Sequence, residues 1–483
     1  MHDHDPQLTL NQPLTKIVAT LGPATDAPGV LDAMLRAGLD VLRINCSHGH
    51  AEQLRQRTAA ARRAADRMGR DVAVLVDLQG PKIRIERFRD GEITLEDGAA
   101  FSIDPAYPAD DGDQTVVGCS YADLPRDVES GDTLMVGDGA VILEVVAVQG
   151  SRVHCQVTAG GELSDRKGLN RFGGGLSAPA LTDKDKADIQ LAAELDADYV
   201  ALSFARNPDD LAETRELIRQ AGSQAALLVK IERAEAITHL ESILAGADAV
   251  MVARGDLGVE IGDAELPGVQ KRIIALARDL NKPCITATQM MESMIDRPTP
   301  TRAEVLDVAN AVMDGTDAVM LSAETAVGEY PVETIETIAR ICKGAERQIV
   351  PERASALHGS HFERADEAIA MAAIFAARHA RADATITLTE SGNTALLLSR
   401  SITGIPIYAL SSHARTRRRM ALYRGVRPVA FDSDRRPYDQ VVDDALATLK
   451  GEGLLQSGQR VMLTKGDHRT AGATNTLKFL LVP

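Results

Sequence analysis

The sequence predicts an α/β chain: a TIM (β/α)8 barrel carrying an inserted small β-barrel lid domain and followed by an open α/β domain. Three observations predict it. Apolar, β-branched runs alternate with helical patterns eight times, the count that closes such a barrel. Several of these runs end in polar or charged residues, as parallel strands buried on both faces do when function gathers at their C-terminal ends. A glycine-rich stretch with short alternating patterns interrupts the rhythm once.

In chain order, Thr15–Leu21, Val41–Asn45 and Val72–Leu78 are the first three strands, with helical periodicity over Val30–Ala37 and Gln53–Arg67. Residues 86–178 break the pattern. Fourteen of the 38 glycines fall there, about twice an even share, among short strands such as Ala140–Val148 and Arg152–Thr158; this marks an inserted all-β module. Gly173-Gly174-Gly175 provides a flexible re-entry suited to a mobile lid. The barrel resumes with strands at Tyr199–Phe204, Ala226–Ile231, Ala249–Ala253, Cys284–Ala287 and Ala318–Leu321. A third region follows Gln348: a helix over Ala365–Ala380 and strands at Ala384–Thr389, Ile405–Leu410, Arg427–Phe431 and Arg460–Leu463. The expected domains are 1–85 and 179–347 for the barrel, 86–178 for the lid and 348–483 for the last domain. No internal repeat stands out.

Composition narrows the function classes. The 483 residues suit two to four domains. The net charge of −16 argues against nucleic acid as the main partner. Cys46, Cys119, Cys155, Cys284 and Cys342 form no close pairs, which fits reduced thiols in a cytoplasmic protein. No signal peptide or membrane span is expected. Met1-His2-Asp3-His4-Asp5 offers metal-ligand residue types but reads as a terminal tail. The basic run Arg415–Arg419 reads as a solvated helix face or subunit contact.

The strand ends carry the chemistry. Lys230 and Glu232 share a face, and Asp256 follows the next strand. Two carboxylates from adjacent strand ends suit Mg2+ or Mn2+. Arg254-Gly255-Asp256-Leu257-Gly258 joins a strand end to a helix start whose free N–H groups bind anions, and Thr288 can add a hydroxyl there. Arg43, Asn45 and Ser47 alternate at the second strand's mouth, where an arginine fork can hold a phosphoryl group. His48, Arg84 and Lys167 can reach nucleotide phosphates. Thr389-Glu390-Ser391-Gly392-Asn393-Thr394, between a strand and a helix, forms a phosphate cradle or a plain capping turn.

Taken in order, Arg43-Ile-Asn-Cys-Ser-His-Gly, Lys230-Ile-Glu-Arg, Met251-Val-Ala-Arg-Gly-Asp-Leu-Gly-Val-Glu, Ala287-Thr-Gln-Met-Met-Glu-Ser-Met, Pro300-Thr-Arg-Ala-Glu and Asp317-Ala-Val-Met-Leu-Ser-Ala-Glu-Thr resemble the pyruvate kinase signatures. The resemblance implies phosphoryl transfer from phosphoenolpyruvate to ADP. It assigns Glu232 and Asp256 to the metal, and Lys230 to the phosphoryl in flight and the enolate. It assigns Gly255, Asp256 and Thr288, with Arg43 and Lys230, to the substrate. Asn45, Ser47, His48, Arg84 and Lys167 then serve the nucleotide, and a water near Thr288 or Ser322 is the expected proton donor. It further implies a homotetramer with a regulatory last domain, and an effector at Thr389–Thr394. Mixed charges in Thr464–Gly472, with Asp467 repelling a second phosphate, favour a sugar monophosphate.

One departure is informative. Many members of that family need potassium and carry Asp-Thr-Lys-Gly-Pro-Glu at the third strand's end. Here the segment is Asp77-Leu78-Gln79-Gly80-Pro81-Lys82: a hydroxyl ligand is replaced by Leu78, and Lys82 puts a fixed positive charge where those members have a glutamate. Potassium is therefore expected to be dispensable. Two other classes compete: a metal-dependent lyase or aldolase acting on pyruvate-like enolates, which leaves Lys167 and the lid without a role, and a sugar-phosphate sensor with an inert barrel, which requires a lost catalytic position.

Overall fold

Eight parallel strands close into a barrel: Lys16–Thr20, Val41–Asn45, Ala73–Asp77, Tyr199–Leu202, Ala226–Ile231, Ala249–Ala253, Cys284–Ala287 and Ala318–Leu321, each paired with its neighbours in sequence and the first with the last. The structure is a computed structural model and describes residues 12–349, 362, 364–437, 439–467 and 474–483. The Met1–Asp5 tail and His468–Gly472 lie outside the described residues.

The strands form where the sequence places β-branched runs, because both faces are buried. Inward residues such as Val18, Leu75, Leu228, Met251, Ile285 and Met320 fill the barrel, and outward ones such as Ile17, Val74, Val229 and Val319 pack against the helices. With almost no aromatics the interior is aliphatic, and small alanines (Ala73, Ala201, Ala249, Ala318) let the layers interdigitate. The helix over Val30–Ala37 matches its expected bounds. The helix expected from Gln53 begins at Ala51, with His50 as its N-cap.

A repeat that sequence reading missed orders the barrel floor. Asp40, Asp198, Asp248 and Asp317 each stand immediately before an even-numbered strand. Each accepts a backbone N–H from the odd-numbered strand before it: Ile17 at 3.1 Å, Val74 at 2.8 Å, Leu227 at 2.8 Å and Cys284 at 2.9 Å. A carboxylate thus replaces the missing ladder partner where each strand pair begins.

The inserted region forms a six-stranded sheet and a two-stranded one around its own core, with Ile85, Phe101, Leu134, Leu143 and Val157 among the buried residues. Its long hairpin pairs Val141–Gln149 with Arg152–Ala159. The last region is a five-stranded sheet. Ala384–Leu388, Ile407–Ser411, Val426–Ala430 and Arg460–Gly466 run parallel, and an unforeseen edge strand, Thr474–Leu481, runs antiparallel to Arg460–Gly466.

The basic run departs from expectation. It lies on the helix Ala414–Met420 and clamps the last domain to the barrel floor. Arg417 pairs with Asp71 at 2.8 Å, Arg418 with Asp198 at 2.7 Å and Arg415 with Asp196 at 2.6 Å. Just beyond the helix, Ala421 and Leu422 join the residues that fill the barrel from below. The floor is therefore closed by protein, and only the opposite end is left for chemistry.

Candidate active site

At the mouth of the barrel the third, fourth and fifth strands bring together a network of buried charges. Asp77 ends the third strand and is 1 % exposed. One of its oxygens accepts from Arg43 Nε at 2.7 Å, and the other lies 3.3 Å from Lys230 Nζ. Arg43 also donates to Thr20 Oγ1 at 2.8 Å, so its fork is held by two neighbouring strands. Lys230 Nζ contacts Glu232 Oε1 at 2.8 Å and donates to Ser203 Oγ at 2.8 Å. Ser203 was not singled out from sequence: a lone serine after the fourth strand has no spacing that marks it.

The electrostatics favour the charged forms of Asp77 and Lys230. Burial alone would raise Asp77, but Lys230 and Arg43 outweigh it and hold the carboxyl below its usual range. Burial likewise opposes the charge on Lys230, yet Asp77 and Glu232 raise its pKa above the ordinary value. Glu232 is pushed upward by burial and by the nearby Asp256 carboxylate, against the pull of Lys230. Two repelling carboxylates of hard oxygen character, one on each of adjacent strand ends, are the donor set a divalent cation would relieve. Glu232 Oε2 accepts the Phe204 N–H at 2.8 Å, which fixes the carboxylate plane. No cluster of three or more carboxylate, histidine or cysteine ligands occurs among the described residues. A metal held here would complete its shell with water and substrate oxygens, and the residues fit Mg2+ or Mn2+ in that mode.

Asp256 lies in the first turn of the helix Arg254–Ile261, and Lys82 Nζ bonds its Oδ1 at 2.9 Å. The substitute cation expected from sequence therefore touches one of the two expected metal ligands. Its stem passes beneath the inserted domain, where a side chain at Gly168 would meet Lys82 Cε at 3.4 Å. Leu78 is buried at 1 % exposure and offers no oxygen ligand from its side chain.

Thr288 and Gly255 meet as expected: the Gly255 N–H donates to Thr288 Oγ1 at 2.8 Å. Thr288 and Gln289 have φ of +68° and +53°, a conformation side chains rarely adopt. Arg254, quoted from sequence without a role, secures this turn. It donates to Thr288 O at 2.6 Å and Ala287 O at 3.2 Å and pairs with Asp307 at 2.7 Å. Ser322 follows the eighth strand, its N–H bonded to Glu324 Oε2 at 2.6 Å.

The expected nucleotide residues are more dispersed. Asn45 ends its strand and accepts the Ser47 N–H at 3.1 Å; Ser47 and His48 lie in an exposed turn beyond it. Arg84 donates to Arg166 O at 2.8 Å, and Lys167 is exposed at the base of the lid, its carbonyl taking the Ile85 N–H at 3.0 Å. In the last domain, Thr389 Oγ1 accepts the Gly392 N–H at 3.0 Å, and Asn393 Nδ2 donates to Asp366 at 2.8 Å. The Thr394 hydroxyl pairs with that of Thr474 at 2.7 Å, while Ser391 is exposed. Glu390 contacts His413 at 2.8 Å and its carbonyl takes the Thr416 hydroxyl at 2.8 Å, which joins this loop to the helix that clamps the barrel floor.

Comparison with known proteins agrees along the chain. The family model for the pyruvate kinase barrel domain matches residues 12–335, and that for the pyruvate kinase alpha/beta domain matches residues 367–480. The chain is 52% identical over 477 residues to pyruvate kinase II of Salmonella typhimurium, covering 97% of this chain and 98% of that one. It is 48% identical over 472 residues to a pyruvate kinase of Haemophilus influenzae, with 97% and 98% covered. It is 38% identical over 468 residues to a pyruvate kinase of Thermotoga maritima, with 97% and 99% covered.

Proposed function

The chain belongs to the pyruvate kinase family and is a phosphotransferase, and on that premise we propose that it carries the phosphoryl group of phosphoenolpyruvate to ADP, with a divalent metal and without need of potassium. The observation that carries this reading is the placement of Lys230, buried and kept charged between Asp77, Glu232 and Ser203 at the strand ends.

In the reaction a terminal oxygen of ADP forms a bond to phosphorus, the bond from phosphorus to the enol oxygen breaks, and the enolate takes a proton to give pyruvate. Such transfer needs positioning and charge neutralisation more than covalent help. Lys230 faces the phosphoryl in flight and the developing enolate, and Arg43, oriented by Asp77 and Thr20, holds the phosphoryl oxygens. Glu232 and Asp256 would hold Mg2+ or Mn2+, which when bound neutralises charge on substrate and phosphoryl oxygens. The Gly255 N–H and Thr288 Oγ1 take the substrate carboxylate. Asn45, Ser47, His48, Arg84 and Lys167 receive the nucleotide, and a water near Thr288 or Ser322 delivers the proton. Lys82 supplies the fixed charge that potassium provides in other members of the family; its contact with Asp256 supports that role.

The same reading makes the protein a cytoplasmic homotetramer. Exposed Leu306, Met313, Phe479 and Leu481 support contacts between subunits, and among the described residues no helix is long and apolar enough to cross a membrane. Its last domain takes an activating sugar monophosphate at Thr389–Thr394. Alanine at Thr389 and Ser391 is expected to abolish sugar-phosphate activation while leaving the maximal rate nearly intact.

Phosphorus NMR of the protein with phosphoenolpyruvate, ADP and Mg2+ in potassium-free buffer tests the activity. ATP should appear as phosphoenolpyruvate disappears, one for one, with no build-up of inorganic phosphate. Consumption of phosphoenolpyruvate without ATP, or a large stimulation by potassium at constant ionic strength, would contradict the reading.

A further inference from the structure

The inserted domain returns to the barrel through the strand Leu169–Arg171 and a strap of glycines. Gly173, Gly174 and Gly175 have φ of +84°, +81° and +99°, which glycine adopts without steric cost. Close approach also demands them: a Cβ on Gly174 would lie 2.7 Å from a Glu235 oxygen, and one on Gly175 would lie 2.0 Å from Arg171 Nη1.

The strap is gripped from the barrel side. The Gly175 N–H donates to Glu235 Oε1 at 2.5 Å, the Leu176 carbonyl accepts from Arg233 Nη2 at 2.7 Å, and the Gly173 N–H donates to the Glu260 carbonyl at 2.8 Å. The Arg233 side chain is 4 % exposed; it bonds Glu235 at 3.0 Å and faces Glu260 at 3.2 Å. Arg233 directly follows Glu232, and Glu260 closes the helix whose first turn carries Asp256. One buried guanidinium therefore touches the strap, the short helix Ala234–Thr238 that follows the fifth strand and the helix after the sixth. A planar fork can serve three acceptors on separate elements, which an ammonium group cannot do in the same geometry.

We propose that Arg233 is a positioning residue for the transfer: through Glu235 and Leu176 it fixes the seat of the inserted domain, and with it Lys167, over the loops that carry Lys230, Glu232 and Asp256. The proposal rests on the reading of those loops as a phosphoryl-transfer site. Arg233 itself touches no reacting atom. Without it Glu235 and Glu260 lose their shared cation, and the strap loses the donor to Leu176.

The test uses the full chain as Arg233→Met, Arg233→Lys and Glu235→Gln. Amide hydrogen exchange is followed over residues 169–178 and over the fifth strand, together with KM for each substrate and kcat. Strap exchange is expected to rise about tenfold or more in Arg233→Met and Glu235→Gln, with the fifth strand unchanged. KM for ADP should rise about fivefold, while KM for phosphoenolpyruvate and kcat change by less than about twofold; Arg233→Lys should restore part of both. Unchanged strap exchange in the folded variants, or equal shifts in the two KM values, would overturn the proposal. If Arg233→Met does not fold, Glu235→Gln decides it. If the wild type transfers no phosphoryl group the proposed reaction fails, and strap exchange alone decides whether Arg233 holds the strap.

Discussion

At the floor of the barrel Asp317 accepts the backbone N–H groups of Cys284 and Arg424 and pairs with Arg400; at the mouth the Asp77 carboxylate is met, among the described residues, by the side chains of Arg43, Lys230 and Ser203. Both carboxylates are about equally buried, so burial and charge do not tell the ends apart. The partners do. Floor aspartates bind backbone that cannot leave, and two of them, Asp198 and Asp317, also pair with arginines from the last domain, which fixes strand register and domain docking together. At the mouth Asp77 binds side chains whose donors can turn toward substrate oxygens, and Glu232 combines one such partner, Lys230, with the Phe204 N–H. A buried ionic network marks a reactive site when its charges are paired mainly with side chains of one another and less with the main chain.

The largest stability effect should therefore come from the floor. Asp317→Ala strands Arg400 and leaves two N–H groups without their acceptor, and it is expected to cost about 3–5 kcal/mol in urea unfolding. Its kcat, measured well below the transition, should stay within about twofold of wild type. A loss of turnover with stability intact would break the comparison.

A smaller effect sharpens the account of the mouth. Lys82→Glu with Leu78→Thr restores the residue types of potassium-dependent members of the family. Its turnover is expected to rise about tenfold or more on adding potassium, against little change for the wild type. An unresponsive double variant would remove Lys82 from its role.

The smallest effect lies between the two ends. Burial pushes Glu260 up to about 7, against Arg233. Its folded pKa exceeds the ordinary value of 4.5, so the folded state holds a proton that the unfolded chain has released. That stabilisation is present at low pH and is lost as pH rises through about 7. The wild type should lose about 1 kcal/mol between roughly pH 6 and 8 from this group, a slope absent in Glu260→Gln. An identical slope in the variant would assign the titration elsewhere.

Most of the barrel was legible because strands buried on both faces must be apolar and β-branched, and five of the eight, Val41–Asn45, Ala226–Ile231, Ala249–Ala253, Cys284–Ala287 and Ala318–Leu321, keep their expected bounds. Lys230, Glu232 and Asp256 could be placed because strand ends and spacing fix where they stand, and Lys82 stood out against the pattern of the family the chain resembles. What sequence did not reveal depends on partners far along the chain. Arg415, Arg417 and Arg418 read as a solvated or intersubunit face because Asp71, Asp196 and Asp198 lie in another domain. The floor aspartates repeat only once the strands are aligned in space. Thr474–Leu481 was missed because its Asn475, Thr476 and Lys478 break the apolar run of an edge strand.

Lys230→Met tests the central claim most directly, with turnover and unfolding free energy measured on the same preparation. Removing a cation that serves the reaction should lower turnover with phosphoenolpyruvate and ADP by about a thousandfold or more, while the protein stays folded and still binds phosphoenolpyruvate. Turnover within about tenfold of wild type, or a loss explained by unfolding, would contradict the assignment of the barrel mouth as the site of transfer.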